Sequence, residues 1–145
     1  MIKIVSLLYF IVFVVSFSLN FSIAPTSFNL DLSKNETNEA YIINNTSAPL
    51  RIEIYLDEAE GFENKSLSSN IMIFPKLISV KPGGKQSVRF KIKSTEKLEK
   101  GKYKSLLVFR EKPKEIKQKT EEDDGFSTEF NFITEIAIGI TGEKR

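Results

Sequence analysis

The strongest pattern in this sequence is an alternation of apolar and polar residues between Thr128 and Thr141. The apolar series takes every second position and consists of Phe126, Phe130, Phe132, Ile136, Ile138 and Ile140, with Thr128 and Thr134 in the same phase. Because successive side chains of a strand point to opposite faces, the pattern predicts one long β-strand with an apolar stripe. We expect the half at 136–140 in a core. For the half at 126–132 two interpretations stay open, a core position or display to a partner.

An apolar run occupies positions 4–17 behind Lys3, and small residues follow it at Ser18 and Ser22. The run is short for a membrane span of ~20 residues, and no basic cluster follows it, so it predicts a secretory signal peptide over about 1–20. An uncleaved N-terminal anchor is the alternative. The remaining residues 21–145 fit one domain, and we expect no membrane contact once the signal peptide is cleaved.

Composition narrows the possible functions. The chain has no His and no Cys, which removes the usual general base, the thiol nucleophile and the commonest zinc ligands. No catalytic residues, no metal site and no cofactor are therefore predicted, and the chain is not expected to be an enzyme. The formal net charge is only +2, and Lys alternates with Glu along the sequence, so nucleic acid is not an expected partner.

The rest of the chain reads as short strands separated by turns. Alternation or apolar runs predict strands at 39–43, 50–56, 86–93 and 105–111, and two broken strands at 21–32 and 71–80. Pro25 and Pro75 interrupt the broken pair, and the first of these is expected to switch between two sheets. Residues 112–125 carry almost no apolar side chain, which predicts a mobile loop. The pattern as a whole predicts an all-β, immunoglobulin-like β-sandwich of about seven strands in a single domain.

Two local patterns predict structural residues. Pro82 and Gly83 lie in a Lys-Pro-Gly-Gly-Lys stretch that is typical of a tight turn. Leu98, Gly101 and Tyr103 have the spacing of a tyrosine corner, in which a Tyr hydroxyl bonds to upstream backbone and fixes a connection of the sandwich.

In sequence order, these features resemble the N-terminal domain of PapD-like periplasmic pilus chaperones. The resemblance covers the mature chain and is sharpest at FPKLISVKPGGKQSVRFKI and at Arg110-Glu111-Lys112-Pro113, which looks like the Arg-Glu-x-Pro end of the family's penultimate strand. The family implies a location in the periplasm of a Gram-negative bacterium. It also implies a non-enzymatic activity, in which the last strand is lent to a pilus or surface subunit by β-strand addition.

The resemblance also implies which residues bind the subunit. The lent strand would be formed by Phe126, Thr128, Phe130, Phe132 and Thr134, and the free protein could self-associate through it. The family's basic anchor pair for the subunit's carboxylate matches Ser27 and Ala137 here, and neither carries a charge. A non-enzymatic immunoglobulin-like structural or adhesive module of the cell envelope is the alternative function.

Overall fold

The computed structural model describes residues 19–113 and 133–145, and within them it is an all-β sandwich. The nine strands are β1 (Phe21–Ala24), β2 (Ser27–Asp31), β3 (Thr37–Asn44), β4 (Leu50–Glu58), β5 (Ile71–Phe74), β6 (Leu77–Val80), β7 (Lys85–Ile92), β8 (Gly101–Glu111) and β9 (Glu135–Lys144). All but the last two residues of the predicted signal peptide, most of the predicted loop, and Phe126, Thr128, Phe130 and Phe132 lie outside the described residues.

Two sheets form the sandwich. One has four strands in the order β1-β3-β7-β5, and the other has five in the order β2-β9-β8-β4-β6. Neighbours are antiparallel except β2 and β9, which are parallel. The predicted sandwich is confirmed. About seven strands were expected, and nine result because the two proline-broken strands each divide into a pair.

Both broken strands cross from one sheet to the other. β1 pairs with β3, and after Pro25 the chain continues as β2 beside β9. β5 pairs with β7, and after Pro75 the chain continues as β6 beside β4. Proline has no amide hydrogen for a ladder, so the crossover occurs where a ladder bond would in any case be lost.

The core lies between the two sheets and is lined by one face of every strand. Its largest fully buried side chains are Phe21, Leu32, Ile42, Ile52, Ile54, Leu67, Phe90, Ile92, Leu107, Phe109 and Ile140. Phe28 of β2 and Phe90 of β7 meet edge to face across it, with ring centroids 4.8 Å apart. The core half of the last strand is as predicted, since Ile138 and Ile140 are both buried.

Within residues 133–145 the last strand begins at Glu135, and it ends later than its alternation predicts. It runs from Glu135 to Lys144, and Ile133 and Thr134 precede it outside the regular ladder. The amide of Thr134 donates to the side chain of Glu111 at 3.2 Å, in the place where a ladder would use the backbone carbonyl of Glu111. The side-chain carboxylate therefore replaces one of the two backbone hydrogen bonds of this residue pair, which a period of two in the sequence does not reveal.

The predicted tight turn lies between β6 and β7. The amide of Gly84 donates to the carbonyl of Lys81 at 2.8 Å, and Gly83 has a φ of +66°. Pro82 at the second position and a positive φ at the third are the features of a type II turn, which explains the order of residues here. No helix within the described residues is long and apolar enough to cross a membrane.

Candidate functional site

The site is the outer edge of β9 at its upstream end. The amide of Glu111 donates to the carbonyl of Thr134 at 3.0 Å, and this bond fixes which residues of β9 face β8. Backbone groups alternate direction along an antiparallel strand, so those of Ile136 and Ile138 point to β8. The amides and carbonyls of Glu135 and Ala137 therefore point away from β8, along the other edge of the strand.

The strand β2 covers only the later part of that edge. Its register with β9 begins at Ser27 opposite Gly139 and continues to Asp31 opposite Glu143. Leu32 extends the pairing, with its amide 3.1 Å from the carbonyl of Glu143. Upstream of Gly139, no strand among the described residues pairs with this edge, which leaves the backbone groups of Glu135 and Ala137 exposed for a further strand.

A cluster of polar contacts holds the upstream end of this edge. The carboxylate of Glu111 accepts a bond from the side-chain amide of Asn20 at 2.8 Å and another from the backbone amide of Thr134 at 3.2 Å. Asn20 also donates its backbone amide to the hydroxyl of Thr134 at 3.4 Å. The N-terminal end of the described chain and the start of β9 are thus fixed to the end of β8. Sequence reasoning singled out Glu111 only as part of a resemblance and gave it no contact.

Side chains around the edge differ between its two faces. Ile138 is buried and Ile136 is partly buried on the core side, while Ala137 and Glu135 are exposed on the other. Glu135 lies 3.8 Å from Arg110 of β8, as an exposed ion pair. Just upstream, Ile133 is an exposed apolar residue with 42% of its surface accessible. Of the five residues predicted to bind a subunit, only Thr134 is described, and its backbone and hydroxyl belong to the polar cluster.

The positions that match the family's basic pair lie close together without a charge. Ser27 is paired with Gly139, two residues along the same face of β9 from Ala137. A cation nevertheless lies beside them, because a Cβ built on Gly139 would be 3.3 Å from Cε and 3.9 Å from Nζ of Lys104. Sequence reasoning missed Lys104. The one available signal was the small residue Gly139 between the larger Ile138 and Ile140.

Residues of the predicted tyrosine corner lie at the opposite end of the sandwich, where Tyr103 pairs with Gly142. The hydroxyl of Tyr103 donates to the carbonyl of Glu99 at 2.7 Å, which is the bond that a tyrosine corner makes. Leu98 packs against the core, and Gly101 has a φ of +145°, which favours glycine. Within the described residues no group of three or more acidic side chains is placed to hold a metal ion.

Solved structures of similar shape are periplasmic chaperones. The structure of the periplasmic chaperone SfaE matches with a TM-score of 0.62 and 12% sequence identity, over 85% of this chain. The chain has the fold of PapD-like pilus chaperones. A complex of the chaperone SafB with the pilin SafA, from Salmonella enterica, matches at 0.61 and 9% identity over 87% of this chain. The CsuC–CsuE chaperone–tip subunit complex of Acinetobacter baumannii matches at 0.62 and 15% identity over 86%.

The likeness covers part of each of those proteins. The chain spans between 55% and 57% of the length of the three matched chains. No family model and no curated protein matches the sequence. At identities of 9–15%, the likeness to these structures establishes the fold alone, and it leaves subunit, partner and location open.

Proposed function

We propose that this protein is a periplasmic chaperone that assists the assembly of pilus or other surface subunits by β-strand addition. The observation that carries the proposal is the uncovered edge of β9 at Glu135 and Ala137, next to the point where β2 begins to pair. A subunit strand placed there would extend the five-stranded sheet beside β9. Such an addition uses backbone hydrogen bonds for affinity and alternate side chains for selectivity.

The sequence upstream of this edge also supports strand addition. Phe126, Phe130 and Phe132 precede Thr134 in the phase of Ile136 and Ile138, so a strand continued upstream would carry a row of large apolar side chains on one face. We propose that these side chains enter the subunit. The solved complexes with a pilin and with a tip subunit are consistent with a protein partner of this class.

Proline substitutions at two open sheet edges, one in β9 and one in β6, test the proposal. The amide of Ala137 faces the uncovered side of β9, so Ala137→Pro removes an edge donor and leaves the bonds to β8 in place. Ser79 supplies the matched control. The carbonyl of Lys76 accepts a hydrogen bond from the amide of Ile54 at 2.8 Å, so the backbone groups of Lys76 face β4. Because the direction alternates along the strand, the backbone groups of Ser79 face the open edge of β6. β6 is remote from β9 in the sheet order.

The expected result separates binding from folding. Both variants should melt within a few degrees of the parent, and Ala137→Pro alone should lose capture of a pilus subunit exported together with this protein, by at least about tenfold. Capture by Ala137→Pro at the parent level would refute strand addition at this edge. Self-association of the free protein, if it uses the same edge, should disappear with the same substitution.

One observation favours the alternative of an immunoglobulin-like structural or adhesive module. Ser27 and Ala137 cannot pair with a carboxylate, so the anchor that the resemblance implies is missing from its matched positions. In that case both proline variants should leave all binding unchanged. The capture experiment therefore distinguishes the two functions directly.

A further inference from the structure

The outer face of the four-stranded sheet carries an unbalanced charge. Three basic side chains, Lys85, Arg89 and Lys91, occupy alternate or next-alternate positions on β7 and point to the same face. The one acidic residue of that face is Glu39 on β3, which lies 3.9 Å from Arg89 as an exposed ion pair. Within residues 19–113 and 133–145, Lys85 and Lys91 form no ion pair. Their row spans six residues, or about 20 Å.

The other outer face of the sandwich is nearly neutral, which shows that the imbalance belongs to one side. Its exposed and half-buried charged residues are four basic and five acidic, namely Arg51, Lys102, Lys104 and Arg110 against Asp31, Glu53, Asp57, Glu135 and Glu143. Of the two outer sheet faces, only that of the four-stranded sheet thus has a positive excess. The sequence hides this because Lys and Glu are interleaved along it.

Exposed apolar side chains flank the basic row on both sides. Tyr41 and Ile43 lie on β3, and Met72 and Phe74 lie on β5, where Phe74 has 76% of its surface accessible. Lys85 is 4.2 Å from the ring centroid of Tyr41 and is the cross-strand partner of Ile43. On the other side Phe74 pairs with Arg89 and Met72 with Lys91. Cations therefore form the centre of the face, and apolar groups form its margins.

This arrangement is the reverse of a protein interface. The centre of a protein–protein interface is apolar and poor in Lys, and charges gather at its rim. Attachment to an anionic bilayer instead combines basic side chains at the headgroups with scattered aromatic and aliphatic groups at the acyl boundary. We propose that the outer face of the four-stranded sheet docks on an anionic lipid surface. This proposal is contrary to the sequence-based expectation that the exported chain makes no membrane contact, and it is independent of the strand-addition site.

Vesicle binding with a matched charge control tests the proposal. The protein is purified as exported, and Lys85→Glu/Lys91→Glu is compared with Arg51→Glu/Lys102→Glu, which makes the same change of net charge on the opposite face. All four sites are exposed, so both variants should keep the melting temperature of the parent. Any contribution from the N-terminal apolar run is common to the two variants and cancels.

Co-sedimentation is measured with vesicles of one part phosphatidylglycerol to three parts phosphatidylcholine. Each Lys near an anionic surface strengthens binding roughly fivefold, so the β7 variant should bind at least about tenfold more weakly than the parent. The control should stay within about twofold, and the difference should vanish on phosphatidylcholine alone. Equal loss in both variants, or no binding of the parent to anionic vesicles, would overturn the proposal and leave an acidic protein as the partner of this face.

Discussion

At the scale of single residues, two side-chain oxygens end strands and fix connections. Tyr103 holds the carbonyl of Glu99 at the start of β8, and Glu111 holds the amide of Thr134 at its end. Both contacts stabilise backbone groups that a ladder does not reach. Spacing in the sequence predicts the first because Tyr and its acceptor are four residues apart. The second joins residues 23 positions apart and has no local pattern.

Removal of the Tyr103 hydroxyl should destabilise the fold. The residue is buried, and Tyr103→Phe would leave the carbonyl of Glu99 without its partner at a cost of about 1–3 kcal/mol. The midpoint of urea unfolding measures this. Tyr55→Phe is the control, since Tyr55 is half-buried on β4 and its hydroxyl has no hydrogen-bond partner among the described residues. Equal midpoints for the two variants would contradict the role given to Tyr103.

Ser33 should make stability depend on pH through Asp31. The Ser33 hydroxyl and amide donate to the Asp31 carboxylate at 2.6 and 3.0 Å and hold the pKa of Asp31 below its ordinary value. A lowered pKa stabilises the folded state above the unfolded pKa of ~3.9, and this is lost as pH falls through the folded pKa. Ser33→Ala should therefore lower the free energy of unfolding at pH 7 and have little effect near pH 2. An NMR titration of the Asp31 carboxyl carbon should show its pKa rise in the variant.

At the scale of elements, β9 is the strand on which fold and proposed function meet. Its downstream part is packed between β2 and β8, and its upstream part has a neighbour on one side among the described residues. Two glycines in the packed part differ in what surrounds them. A Cβ on Gly142 would lie 2.6 Å from Cδ2 of the buried Leu32, whereas one on Gly139 would meet only the flexible end of Lys104.

Alanine substitutions at these two glycines should therefore have different effects. Gly142→Ala forces Leu32 or the strand to move, and overpacking of this kind costs about 1–3 kcal/mol. Gly139→Ala displaces only the flexible end of the half-buried Lys104 side chain and should change the melting temperature little. Both are measured by thermal unfolding of the purified protein. A larger loss in Gly139→Ala than in Gly142→Ala would show that the register of β2 and β9 is wrong.

Most strands could be predicted from the sequence because each has one buried face. Leu50, Ile52 and Ile54, or Val88, Phe90 and Ile92, are buried as the alternation predicts. Strand ends could not be predicted so well, since β3 and β8 begin before their apolar pattern does. The open edge of β9 depends on where β2 starts to pair, more than 100 positions away in the sequence. No residue pattern near Ala137 indicates where β2 begins to pair.

At the scale of the whole molecule, the two sheets are tied together by the chain itself. β1 and β2 are consecutive but belong to different sheets, and so are β5 and β6. Both sheets also share one core, to which Phe28 and Phe90 contribute from opposite sides. Neither sheet has a separate core with which to remain folded alone.

Unfolding should accordingly be a single transition. Far-UV circular dichroism, which follows both sheets, and fluorescence of the tyrosines should give the same urea midpoint; the chain has no Trp to complicate the second signal. Two separated midpoints would mean that one sheet persists without the other, contrary to the shared core.

Substitutions at core positions of the last strand should destabilise the fold, whereas substitutions at positions proposed to bind the subunit should not. Ile138 is buried, so Ile138→Ser should cost at least ~2–5 kcal/mol of a total that is only ~5–15 kcal/mol. Phe130→Ser stays a prediction from sequence, and we expect it to keep the melting temperature while subunit capture falls. Equal unfolding by both substitutions would count against strand donation.

The position of the crossover after β1 determines which described residues of β9 have no partner strand on their outer edge. β2 runs parallel to β9 and begins at Ser27 opposite Gly139, so each residue by which the crossover moved upstream would cover one more residue of β9. A shift of two would place residue 25 opposite Ala137 and leave Glu135 uncovered. The position of Pro25 in the first strand thus determines where, among the described residues, the uncovered edge of β9 ends.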